Sequence, residues 1–117
     1  VALDSDAGLV ETANRVLTEQ GILNVAVLQG DMAQGYPKQA PYDVILVEGM
    51  VGQVPESLVS PLAAGGRLSA LVATRGGKMG RATVFLKQKG TFGHREPFDA
   101  AASPLPGFEA KAGFIFA

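Results

Sequence analysis

Cysteine and tryptophan are absent from this 117-residue chain, and histidine occurs once. Without cysteine there are no disulfides and no thiolate metal sites, a composition that fits a reducing cytoplasm. Charge of neither sign dominates: 10 basic residues stand against 11 acidic ones, so neither a nucleic-acid-binding surface nor a charged tail is expected. No apolar run approaches the roughly 18 residues that a membrane span needs. The first residues lack the basic segment of a secretory signal. What remains, with 47% hydrophobic residues, is the composition of a soluble globular protein. Its length predicts one domain, 1–117, able to bury roughly two-thirds of its unfolded surface.

The order of elements is legible along the first two-thirds. Residues 1–3 are apolar and are followed by Asp4, Ser5 and Asp6. Leu9, Val10, Ala13, Val16 and Leu17 fall on one face of a helix. Ser5 or Asp6 can cap its orphan amides, Glu11 and Arg15 can pair one turn apart, and Gly21 ends it. "NVAVLQGD" reads as a strand running into a loop at Gly30, and "QGYPKQAPYD" as turn chemistry. "VILV" (44–47) has the continuous apolar character of a strand buried on both faces. Pro55 suits the first turn of a helix over 56–62, which "AAGG" should end before a strand at 67–73. Strand, helix, strand, loop, strand, helix, strand is the alternation of a doubly wound α/β sheet. Beyond it, 81–87 and 91–98 read as an antiparallel hairpin. "SPLPGFEA" reads as a loop, and "GFIFA" as a short final strand.

In such a sheet, ligands bind beyond the carboxyl ends of the strands. Asp4 closes the first apolar run, where a carboxylate can accept from a ribose diol, or can simply begin the helix cap. Gly30-Asp31-Met32 closes the next strand. The glycine admits a flat ring, Asp31 can accept from an adenine amino group, and Met32 can pack on the ring or offer its amide. The alternative is an ordinary Gly-Asp turn. Glu48-Gly49-Met50 follows the third strand and puts a carboxylate at the working edge, facing substrate, cofactor or solvent alike. His94 reads as a surface residue, with no nucleophile near it in sequence. "RGGKMGR" (75–81) lacks the Gly-Lys-Ser/Thr ending of a phosphate loop, and Asp43 reads as a residue of the sheet's base. No catalytic residue and no metal ligand set emerges.

The series "VALDSD…LVETANRVL…GILNVAVLQGDMAQGYPKQAPYDVILVEG…VPESLVSPLAAGGRL" resembles the protein-L-isoaspartate O-methyltransferase family over residues 1–71. Each piece is common; the ordered series is specific. The resemblance implies a Rossmann-like class I methyltransferase sheet, mostly parallel and ending in an antiparallel hairpin. It implies S-adenosylmethionine as cofactor, with Asp4 in the ribose position and Asp31 with Met32 in the adenine position. It further implies methyl transfer to the carboxylate of an isoaspartyl residue, the first step in repair of damaged proteins. The partner is then an isoaspartyl protein or peptide, in the cytoplasm, with no nucleic acid and no membrane.

Two departures accompany the resemblance. The family's first strand and Gly-rich loop are not represented, so a gap in the sheet and an inactive 117-residue piece are expected. "EGMVGQ" stands where the family has a small Thr/Ala-rich loop, and the carboxylate of Glu48 there would repel an anionic acceptor. A methyltransferase with another acceptor is therefore one alternative reading. A non-catalytic interaction module that keeps the fold is another. A dinucleotide-dependent dehydrogenase also places an acid at its second strand end, but the Gly-Asp pair and the terminal hairpin argue against it.

Overall fold

The computed structural model describes residues 1–74, 79–88 and 91–109. The expected strand at 113–117 and residues 75–78 of the "RGGKMGR" stretch lie outside them. The chain packs as two compact units, Val1–Tyr36 and Pro37–Ala117.

The first unit is a strand–helix–strand turn. Strand β1 (Ala2–Asp4) leads into helix α1 (Ala7–Glu19), which returns to β2 (Val27–Gln29). The two strands pair in parallel, with Asp4 opposite Gln29. Of the two capping candidates it is Asp6 that acts: its Oδ1 accepts from the amides of Gly8 and Leu9 at 2.8 and 3.1 Å. This satisfies two of the donors that every helix start leaves open. The other end closes on Gly21, whose φ of 71° suits a residue without Cβ. Its amide donates to the Thr18 carbonyl and that of Ile22 to Leu17, the paired bonds of a Schellman turn. Arg15 pairs with Glu19 at 3.5 Å rather than with Glu11 as expected. Both ends of that pair are mostly exposed, so it contributes little to stability. No residue of this unit is buried, and Leu9 and Val16 of the apolar helix face stay exposed.

The second unit carries the core. Strand β3 (Tyr42–Val51) is followed by the single helical turn α2 (Glu56–Val59), then β4 (Leu62–Ala73), β5 (Gly80–Gln88) and β6 (Thr91–Ala100). They form one sheet in the order β3-β4-β5-β6, β3 and β4 parallel and the later pairs antiparallel. The predicted hairpin is thus present. On β4 the buried and less buried positions alternate from Gly66 to Ala73, the two-residue period of a strand with one face in the core. Leu68, Ala70 and Val72 supply that face. Phe85, Thr83, Val51, Val54, Leu58, Val59, Leu62 and Phe108 complete the core. Pro97 lies in edge strand β6, where β6 carries an extra residue opposite β5 between Ala82 and Val84. A bulge on an edge is where a strand tolerates a missing N–H.

Three expectations need correction. The helix expected over 56–62 stops after one turn, and Leu62 already begins β4. Pro61 has no N–H to give a continuing helix, so Ser60, still helical with φ −59° and ψ −35°, is the last residue of the turn. "AAGG" does not end a helix; it bulges out of β4. Leu62 sits opposite Tyr42 and Arg67 opposite Val44, so four residues of β4 face Asp43 alone. Gly65 has φ 81°, and a Cβ on Gly66 would lie 2.8 Å from the carbonyl oxygens of Ala63 and Tyr42. Finally, "VILV" is not buried on both faces: Val44 is 65% and Leu46 63% exposed, and Asp43 is exposed as well. Among the described residues β3 has a strand neighbour on only one edge here, and Val44 and Leu46 are left exposed.

Candidate functional site

In the first unit the parallel register brings Asp4, Gly30, Asp31 and Met32 together at the carboxyl end of β1 and β2. The Gly30 amide donates to the Asp4 carbonyl at 3.0 Å, which ties the two strand ends together directly. Gly30 also lies close on Leu3, whose side chain would be 3.2 Å from a Cβ placed there.

Each carboxylate is oriented by one short local bond. Asp4 Oδ1 accepts from the Asp6 amide at 2.9 Å, so Asp4 supports the start of the helix turn without being the helix cap itself. Asp31 Oδ1 accepts from the Ala33 amide at 3.0 Å and caps a short 3-10 turn, Met32–Gln34. The remaining oxygen of each carboxylate has no hydrogen-bond partner among the described residues. Asp4, Gly30 and Met32 are half-buried, while Asp31 is exposed. Two carboxylate acceptors beside a half-buried thioether and a glycine make an acceptor set suited to a nucleoside. A ribose diol and an exocyclic amine supply donors, and an aromatic ring packs on an apolar side chain.

In the second unit, Glu48 and Gly49 do not follow β3; they lie inside it. Leu46 pairs with Ser69 and Met50 with Leu71, so residues 47–49 face Ala70 alone in a β-bulge. Gly49 has φ 143°, a conformation that side chains rarely adopt. Bulges redirect side chains and recur beside functional sites. Glu48 is exposed and makes no ion pair or side-chain hydrogen bond with any described residue. Met50, by contrast, is a core residue: it is buried, and its sulfur lies 3.1 Å from the position of a Cβ on Gly80. Its placement on a substrate or cofactor side is corrected accordingly, since its side chain faces inward. Gln53, just beyond the strand, carries a buried side-chain oxygen without a partner among the described residues.

The sequence reading missed what holds this bulge. The segment expected to be a plain loop, 103–108, pairs in parallel with the end of β3 through Met50 and Pro104. The Met50 amide donates to the Ser103 carbonyl and the Leu105 amide to the Met50 carbonyl, at 3.0 and 2.8 Å. Phe108 is buried, and its carbonyl accepts from the amides of Gly52 and Gln53. Leu105 between two prolines and Phe108 just after them were the available signal, but a long-range bridge has no local signature. His94 is exposed on β6, its ring centroid 5.8 Å from that of Phe85, as a surface residue should be.

A parallel β-α-β unit with carboxylates at its strand ends, and a mixed sheet closing on an antiparallel hairpin, define a Rossmann-like α/β protein of the class I methyltransferase kind. The family model described as protein-L-isoaspartate(D-aspartate) O-methyltransferase matches residues 1–98, and the chain belongs to that family. A protein-L-isoaspartate O-methyltransferase of Pyrococcus abyssi is 52% identical over 60 residues, 51% of this chain and 28% of the relative. One from Azorhizobium caulinodans is 33% identical over 105 residues, 90% of this chain and 48% of the relative. A solved protein-L-isoaspartate O-methyltransferase superimposes with a TM-score of 0.83 at 27% identity, covering 92% of this chain and 34% of that one. The chain thus spans between about a quarter and a half of the length of these relatives.

Proposed function

We propose that this chain is the ribose- and adenine-binding portion of an S-adenosylmethionine-dependent O-methyltransferase acting on isoaspartyl carboxylates in damaged proteins. The observation that carries the reading is the juxtaposition of Asp4 and Asp31 at one end of β1–β2, joined by the 3.0 Å bond from Gly30 to Asp4. Asp4 accepts from the ribose hydroxyls, Asp31 from the adenine amine, and Met32 packs on the ring above Gly30. The cofactor supplies a methyl group on a sulfonium, and transfer to a carboxylate oxygen forms a C–O bond as the C–S bond breaks. No general acid or base is needed for that displacement. The protein's contribution is alignment and exclusion of water.

Calorimetry with S-adenosylhomocysteine tests this in the full-length protein that carries the chain. Asp4→Ala and Asp31→Ala should each weaken binding about tenfold or more, equivalent to about 1.4 kcal/mol. Binding unchanged in both variants would remove the two acids from the site. No binding by the unsubstituted protein would favour a domain that kept the fold as an interaction module.

A specific observation supports a second reading of the acceptor. Glu48 in the bulge and the buried Gln53 oxygen are both acceptors without partners among the described residues. They suit a donor-bearing methyl acceptor better than an anionic one. Competing an isoaspartyl peptide against amine- and hydroxyl-bearing small molecules in the same transfer assay separates the two.

A further inference from the structure

Among the described residues most of β3's outer edge has no hydrogen-bonded neighbour, yet its last residues are held firmly by a segment some fifty positions away in sequence. Four backbone hydrogen bonds join 103–108 to Met50, Gly52 and Gln53. Their anchors are Phe108, 2% exposed, and Met50, 4% exposed. Between the anchors, Leu105 fills the place of the side chain that Gly49 does not have: a Cβ at Gly49 would lie 2.5 Å from Leu105 Cγ and 2.8 Å from its Cδ2. β4 grips the other edge of β3, with Met50 opposite Leu71. The bulge at 47–49 is therefore fixed from both edges, and the strap reaches it through one leucine.

We propose that residues 103–108 form a strap that fixes the β3 bulge, and that Leu105 is a positioning residue setting the direction in which Glu48 faces the methyl acceptor. The second half of this statement rests on the function proposed above; the first half does not. Without a strap, a bulge with two extra residues on an otherwise open edge has several backbone arrangements of similar energy. Leu105 removes them sterically. A Cβ at position 49 would overlap its side chain, and that side chain stands in the way of Gly49 relaxing toward ordinary strand geometry. The lock is local and apolar. It constrains Glu48 without touching its carboxylate; a released Glu48 is free to turn toward the anionic isoaspartyl group and repel it, so acceptor binding should weaken without Leu105 while cofactor binding should not change.

The test uses the full-length protein carrying this chain, with Leu105→Ala and the volume-conserving Leu105→Met. Amide hydrogen exchange is read at Met50, which donates to the strap, and at Leu86 in the hairpin as a control for the fold. Kinetics with an isoaspartyl peptide and calorimetry with S-adenosylhomocysteine complete the set. Leu105→Ala should speed exchange at Met50 by about tenfold or more while leaving Leu86 within about twofold, the pattern of a local opening. The peptide KM should rise about fivefold or more with S-adenosylhomocysteine affinity unchanged, and Leu105→Met should restore both.

Exchange at Met50 unchanged in Leu105→Ala overturns the strap, whatever the kinetics show. Faster exchange with an unchanged KM overturns the positioning role. If Leu105→Ala also loosens Leu86, Leu105→Val is read in its place by the same criteria. An unsubstituted protein that does not methylate the peptide sinks the proposed acceptor, and the positioning role with it, while exchange at Met50 still decides the strap.

Discussion

Glycines show how far single residues govern this fold. Gly65 and Gly66 are adjacent in the β4 bulge and meet different constraints. Gly65 has φ 81° with open space around it, so alanine there meets only the backbone penalty of the left-handed region, about 1–2 kcal/mol. At Gly66 a Cβ would overlap two carbonyl oxygens at 2.8 Å, and backbone cannot swing aside as a flexible side chain can. Gly66→Ala should therefore shift the urea midpoint further than Gly65→Ala, and equal shifts would show that the bulge rearranges freely. Both positions read in the sequence as a helix terminator. The residue type was legible, but the reason for it was not, because the crowding atoms belong to Ala63 and to Tyr42 on the neighbouring strand.

At the scale of elements, α1 is the most self-contained piece of the molecule. Its cap, its Schellman turn and its Arg15–Glu19 pair all lie within its own stretch of sequence. Asp6→Ala removes the acceptor for two amides and should cost about 1 kcal/mol of helix stability, seen as reduced helical circular dichroism in a temperature series. Asp6→Ser, which keeps a capping oxygen, should recover most of the signal. An unaltered helix in Asp6→Ala would mean that tertiary packing, not the cap, sets where α1 begins. Locality also explains why this helix was predictable and the end of α2 was not. α2 has one turn, ends against Pro61, and depends on burial of Leu58 and Val59 in the second unit. β3 behaved differently again: its residues read as a strand, but its bulge and its bare face depend on which edges have partners.

For the whole molecule, the division of the core has a thermodynamic consequence. Among the described residues every buried side chain lies between Met50 and Phe108, and none in the first 36 residues. Burial of apolar surface is the main stabilising contribution to folding, so the two units of this 117-residue chain should differ in their resistance to opening. Amides of β2 and the second half of α1 should exchange well before those of β4 and β5, with protection differing by about a factor of ten or more. Uniform protection throughout would mean that one cooperative transition governs the chain. The candidate residues follow the same division: Asp4, Gly30, Asp31 and Met32 belong to the first unit, and Glu48 with its bulge to the second.

The amino-acid sequence by itself determined the α/β class, the terminal hairpin, the capped first helix, the family, and the acids at the ends of β1 and β2. Those features follow from short-range periodicity, from capping chemistry and from an ordered series of local motifs, all of which are written within a few residues of where they act. Tertiary structure alone decided that Glu48 and Gly49 lie within a strand, that Met50 faces the core, that Val44 and Leu46 lie bare, and that residues 103–108 return to hold the bulge. Each depends on which residue lies opposite or across an edge. That is set by strand register and by burial of groups far apart in the chain, and no local pattern encodes it.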